Sequence, residues 1–145
     1  MKEKVAVTYS WNRMAYIVNK SLSEKGIKVF TGDTSFINMN KLSILGNKCF
    51  RYPSFYDDKA SFVNYLISFA NQNHISYLIP THEEIFIISK HINQFNEIKT
   101  LVPEFDALKT AHKKDLSSAL AIKLGIPVPL TIKPVSESDC KAFFY

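Results

Sequence analysis

In "LIPTHEEIF", Thr81, His82, Glu83 and Glu84 follow a short apolar run stopped by Pro80. A hydroxyl, an imidazole and two carboxylates together could bind a metal, move a proton or hold a polar ligand. Zinc is excluded first: "HEEIF" starts like H-E-x-x-H, but Phe86 occupies the second ligand position. Glu84 stands three residues after Thr81, the S/T-x-x-E spacing of a capping box, and an acid in a first helical turn favours the positive end of the helix dipole. Glu84 is therefore assigned to capping, while Thr81, His82 and Glu83 form a candidate substrate-binding rim at a strand end. Arg13, in "YSWNRMA", starts the first helix. A guanidinium beside helical N–H groups could hold an anion, so Arg13 joins the rim set, the alternative being a solvated surface arginine.

Two nucleotide- and cation-binding chemistries are missing their residues. The first strand-to-helix turn, "TYSWNRMA", contains no glycine, so the G-x-G-x-x-G phosphate cradle is absent. Asp33 sits where a ribose-binding acid would stand, but without its partner motif it reads as a turn residue. A phosphoryl-receiver site needs paired acids at strand ends to hold a hard cation, and the first strand here ends in Thr8 and Tyr9.

The elements that position these residues alternate. "KVAVTY" has the β-branched run of a strand covered on both faces. Ser10 or Asn12 can cap a helix with Met14, Ile17, Val18 and Leu22 on its inner face, ending at Gly26. A second strand, Ile27 to Phe30, turns at Gly32. The segment from Thr34 to Lys48 has no clear period, and "KCFRYPSF" holds a third strand ended by Pro53. Asp57 or Asp58 opens a helix with Phe62, Val63, Leu66, Ile67 and Ala70 inward. "ISYLIP" is a fourth strand, a helix runs through Ile85, Ile88 and Ile92, and Ile98 to Val102 is a fifth strand. This alternation predicts an α/β fold: a Rossmann-like parallel sheet sandwiched by helices, with strand one beside strand two. After Pro103 the pattern changes to a short helix near Phe105 to Lys109, a longer one from Lys113 to Leu124, then an extended "IPVPLTI".

A chain of 145 residues with 46% hydrophobic content suits one compact, folded, soluble domain, so a second domain has to be incomplete. No secretory signal and no run of roughly twenty apolar residues is present, and Cys49 and Cys140 are isolated thiols, which together predict a cytoplasmic protein without a membrane span. The net charge of +5 comes from dispersed lysines with one small cluster, His112 to Lys114, so nucleic acid is not the expected partner.

The stretch "KKDLSSALAIKLGIPVPLTI" resembles the junction at which ATP-grasp proteins pass from a Rossmann-like pre-ATP-grasp domain into the ATP-grasp fold. Lys114 precedes Gly125 of the "GIPVP" turn by eleven positions, as in that family; the acidic residue before the family's lysine is replaced by Lys113. An Arg-containing first helix ending at Gly26, Asp33 after strand two and "LIPTHEE" after strand four are similar to the N-terminal domain of carbamoyl-phosphate-synthase-like members. The resemblance implies a pre-ATP-grasp domain over residues 1–103, and over 104–145 a linker and the first helix and strand of an incomplete ATP-grasp domain. It implies a ligase that uses ATP and Mg2+ to activate a small-molecule carboxylate as an acyl-phosphate and transfers it to an amine or similar nucleophile. Lys114 is then an ATP-binding residue.

The family's other nucleotide lysines, adenine-binding segment and metal-binding acids fall beyond Tyr145. Lys133, directly after "GIPVP", is not taken as one of them. The expectation is therefore an N-terminal fragment, itself inactive and without a cofactor, completed by the remainder of the ATP-grasp fold and open to homo-oligomerisation. Its tail from Lys113, including Ile126, Leu130, Phe143 and Phe144, should be less well packed than the sheet. The alternative is a free-standing Rossmann-like module that binds a small ligand or a protein.

Overall fold

The computed structural model describes residues 3–35, 37–43, 48–129 and 134–138. The chain forms two compact units, Met1–Phe105 and Asp106–Tyr145. In the first, β1 (Lys4–Val7), β2 (Lys28–Asp33), β3 (Lys48–Arg51), β4 (Tyr77–Ile79) and β5 (Lys99–Thr100) form one sheet in the order β3-β2-β1-β4-β5. Every neighbouring pair is parallel, and β1 lies beside β2 with Val5 opposite Val29. The expected α/β architecture is thus observed.

Alternate strand residues feed two apolar layers, as the period of a pleated strand requires. Ala6, Phe30 and Leu78 pack with Phe62, Val63, Leu66 and Ala70 of α2 (Lys59–Asn73) and Ile88 of α3 (Glu84–Lys90). Val5, Val7 and Val29 pack instead with Ala15, Val18 and Leu22 of α1 (Arg13–Glu24). Each fully buried large side chain contributes about 1.5–3 kcal/mol, so both helix layers are needed to hold the sheet.

Local chemistry sets the helix starts. Asn12 caps α1, its Oδ1 accepting from Ala15 N at 2.7 Å, and Asp58 caps α2 through Ser61 N at 3.0 Å. The inner face of α1 differs from the expectation: Met14 and Ile17 are exposed, while Ala15 and Asn19 are buried. Asn19 can face inward because its Nδ2 donates to Asn40 Oδ1 at 2.7 Å, and Asn40 in turn donates to Ser10 O at 2.7 Å. These bonds offset the desolvation of three polar groups, and the loop between β2 and β3 is thereby fastened to α1.

Gly32 is not a turn residue. It lies inside β2 opposite Phe50 of β3, and the Phe50 ring covers the place a side chain would take. Two other elements are shorter than expected: α3 ends at Lys90, with Ile92 in a 3-10 turn (Ile92–Gln94), and β5 has two residues.

In the second unit, α4 (Phe105–His112) and α5 (Lys114–Lys123) contain no buried residue. They flank a cleft of about 590 Å3 lined by Ala107, Thr110, Ala111, Leu120 and Leu124. Gly125 ends α5 at φ 72°, where its N–H donates to Ile122 O and Ile126 N–H to Ala121 O. Ile126 is exposed. No strand forms over 126–129; Leu130, Lys133, Cys140, Phe143 and Phe144 lie outside the described residues.

Candidate functional site

The chain leaves β1 toward β2 on one side and returns through β4 on the other, so the carboxyl ends of β1 and β4 flank the point where strand order reverses. Open parallel sheets bind ligands at such a point. Polar bonds span it. Thr8 Oγ1 donates to Glu84 Oε1 at 2.6 Å, Thr81 N–H donates to the same oxygen at 3.0 Å, and Thr81 Oγ1 donates to Thr8 O at 2.8 Å. Asn12 Nδ2 adds bonds to Thr81 O and Oγ1 at 3.2 and 3.1 Å.

The capping box is therefore half formed. Glu84 accepts from the Thr81 backbone as the spacing predicts, but the Thr81 hydroxyl donates to the Thr8 carbonyl just after β1, and α3 begins only at Glu84. Glu84 is also wholly buried, which first-turn acids seldom are, and its Oε2 has no hydrogen-bond partner.

The rim stands above this latch. Tyr9 has φ 55°, an uncommon conformation for a residue with a side chain, and its N–H donates to the Tyr52 hydroxyl at 2.9 Å. Its ring lies flat against His82, with centroids 4.2 Å apart and planes 8° from parallel. Tyr56 OH donates to Glu83 Oε2 at 3.1 Å. The Tyr52 hydroxyl is held far above its ordinary pKa by burial, reinforced by the negative charge of Glu84, so it stays protonated while it accepts from Tyr9. Tyr56 shifts in the same direction, through desolvation and its bond to Glu83.

Asp33 ends β2 and is buried rather than turned into solvent. Its Oδ2 accepts from Trp11 N–H at 2.7 Å and its Oδ1 from Ser35 N–H at 3.0 Å, so it ties together the loops that follow β1 and β2.

Thr81, His82 and Glu83 are thus brought together with Tyr9, Asn12 and Tyr56. Arg13 is the first residue of α1, exposed, and no hydrogen bond or ion pair joins it to them. Lys114, also exposed, begins α5 in the second unit. Its N-cap is Lys113, which makes no side-chain capping bond because an ammonium offers no acceptor. Among the described residues no three His, Cys, Asp or Glu side chains are grouped to hold a metal, and no helix is long and apolar enough to cross a membrane. The sequence reading missed Tyr9, Tyr52 and Tyr56. Tyr9 had one signal, its place directly after a strand; the reach of Tyr56 to Glu83 depends on the fold.

No family model matches the chain, and no curated protein is recognisably similar in sequence. Solved structures do match. A single-chain, multi-domain long-chain acyl-CoA carboxylase superposes with a TM-score of 0.69 at 17% identity, over 99% of this chain and 15% of that one. An L-amino acid ligase from Bacillus licheniformis gives 0.68 at 13% identity, over 95% and 34%. The biotin carboxylase subunit of a pyruvate carboxylase gives 0.64 at 19% identity, over 98% and 32%. At such identities the likeness establishes the fold, which is that of the N-terminal domain of biotin carboxylase-like ATP-grasp proteins. The chain spans about a third or less of the length of these three proteins.

Proposed function

We infer that this chain is the N-terminal part of an ATP-grasp ligase, with a pre-ATP-grasp domain over residues 1–103 and the entry into the ATP-grasp domain over 104–145. The observation that carries the reading is the extent of the likeness: it takes in 99% of the chain, both compact units included. In the complete enzyme, ATP and Mg2+ would supply phosphoryl transfer to a small-molecule carboxylate. The acyl-phosphate so formed is attacked at its acyl carbon by an amine or similar nucleophile, with phosphate leaving.

What these residues contribute is binding. Lys114 is a point charge for a phosphate group, on a helix start with no competing ion pair among the described residues. One lysine does not make a triphosphate site, so these residues by themselves do not fit MgATP, and the chain alone should be inactive. Thr81, His82 and Glu83 serve a small substrate at the strand ends: the Tyr9–His82 stack is a flat wall, and Glu83 accepts from an N–H or O–H donor. Arg13, the first residue of α1 and exposed, completes this rim as a cation for an anionic substrate group.

Calorimetry of the 145-residue chain with MgATP should show no binding at micromolar concentrations. In the protein carrying the remainder of the fold, Lys114→Ala should lower nucleotide affinity or rate roughly ten- to a hundred-fold, the equivalent of about 1.5–3 kcal/mol for one bond to a charged group. Micromolar ATP binding by this chain, or unchanged kinetics in the variant, would overturn the assignment. A reading frame closing at Tyr145 would favour a free-standing Rossmann-like module instead.

A further inference from the structure

The ligase reading calls for two substrates, a carboxylate and an amine, and the charges at the strand-end rim choose between them. Asp33 at the end of β2, with Glu83 and Glu84 at the start of α3, brings three carboxylates to one end of the sheet. Among the described residues no ion pair holds any of them. Asp33 is satisfied by the N–H groups of Trp11 and Ser35, but Glu83 and Glu84 keep acceptor capacity. A hydroxyl on a carboxylate closes to about 2.5–2.7 Å, as Thr8 does on Glu84 Oε1 at 2.6 Å. The exposed Tyr56 reaches Glu83 only at 3.1 Å, so that bond gives way readily to a stronger donor. Next in the chain, Glu84 is fully buried with Oε2 unpartnered, and Ser10 Oγ, just after β1, is buried and unpartnered too.

This negative charge is felt at the rim. Desolvation and then the charge of Glu84 raise the pKa of the Tyr52 hydroxyl, while desolvation, the bond to Glu83 and the charges of Glu83 and Glu84 raise that of Tyr56. A second carboxylate brought here is repelled, whereas an ammonium group is attracted both by the uncompensated acids and by the faces of aromatic rings, which the Tyr9–His82 stack supplies. We propose that the rim binds the amine nucleophile and not the carboxylate that is phosphorylated. The ammonium group donates to Glu83 in place of Tyr56, beside the Tyr9–His82 stack. Glu84, fixed by Thr8 and Thr81, adds its charge from the buried side, and Arg13 takes an anionic group elsewhere on the same molecule. This assignment rests on the reading of the rim as a ligase substrate site.

An NMR titration of the 145-residue chain that follows the His82 and Tyr56 rings tests this, with ethylammonium chloride, sodium acetate and sodium chloride as probes. Ethylammonium should shift both rings along a saturating curve in the millimolar range, since so few non-hydrogen atoms bind no tighter than about 1 mM. Sodium acetate and sodium chloride at the same ionic strength should leave them in place. Glu83→Gln keeps an acceptor for Tyr56 but removes the charge, and should weaken ethylammonium binding roughly tenfold or more. Tyr56→Phe, followed at His82, should not weaken it, because Tyr56 competes for Glu83. Both residues are exposed, so both variants keep the fold. Rings that ethylammonium fails to shift, equal shifts with acetate, or unchanged binding by Glu83→Gln would overturn the proposal. Its failure is distinguishable from that of the ligase reading: amine binding at the rim of a protein that uses no ATP when the remainder of the fold is present would remove only the ligase, and ATP use without amine binding would remove only this assignment.

Discussion

Gly32→Ala should destabilise the first unit by about 2 kcal/mol, although a strand normally gains from such a change. A Cβ at position 32 would lie 2.5 and 2.8 Å from two Cε atoms of the Phe50 ring and closer still to its Cζ. Carbon atoms prefer separations of about 3.5–4.0 Å, so the ring has to move by roughly 1 Å or more. It has little room, being stacked on Phe69 at 3.9 Å and flanked by Tyr52 and Tyr65. Overpacking of this kind costs about 1–3 kcal/mol, and outright expulsion of the ring would forfeit about 1.5–3 kcal/mol of burial; reduced backbone entropy of the unfolded chain returns about 0.4–1 kcal/mol. Urea denaturation of four proteins decides the matter: wild type, Gly32→Ala, Phe50→Ala and the double variant. Phe50→Ala alone should cost about 3–5 kcal/mol, and in that background Gly32→Ala should cost nothing, because the clash has gone. If Gly32→Ala is neutral in the wild type, or equally harmful in both backgrounds, the close packing of β2 on β3 is misread.

Glu84→Gln should cost less than Glu84→Ala, since the Thr8 and Thr81 donors keep an acceptor oxygen even though an unpartnered amide NH2 replaces Oε2, whereas Glu84→Ala should cost about 3 kcal/mol or more; equal losses in denaturant titrations would count against the latch. Asn12→Ala removes both the α1 cap and the bonds to Thr81 and should cost about 1–2 kcal/mol by the same measurement, with Asn12→Asp falling between because it caps but cannot donate. The Asp58 carboxyl is held below its ordinary pKa of 3.8 by hydrogen bonds from the Ser61 side chain and backbone. A depressed folded-state pKa means that its contribution is present above pH 3.8 and is lost as pH falls through the lower folded value, so Asp58→Asn should flatten that acid limb of the stability profile.

Much of the scaffold follows from local chemistry. "KVAVTY" and "ISYLIP" are strands because β-branched runs end at turn-forming or proline residues, and Asn12 and Asp58 start helices because their side chains reach the N–H three residues on. Parallel order follows in turn where α1, α2 and α3 are the crossovers, whereas β2 and β3 pair in parallel with no helix described between them. The face of α1 did not follow. Periodicity placed Met14 and Ile17 inward because they are apolar, but Asn19 takes the inner place once Asn40, twenty-one residues away, satisfies its amide. The rim divides in the same way. That Thr81, His82 and Glu83 sit at a strand end was legible from Pro80 and the capping spacing. Only the tertiary structure stacked Tyr9 on His82, brought Tyr56 to Glu83, and turned Glu84 from a surface cap into a buried latch on Thr8. Spacing along the chain determines which backbone groups a side chain can reach locally. Whether a polar side chain can be buried depends on a partner that arrives from another element, and sheet order alone decides which element that is.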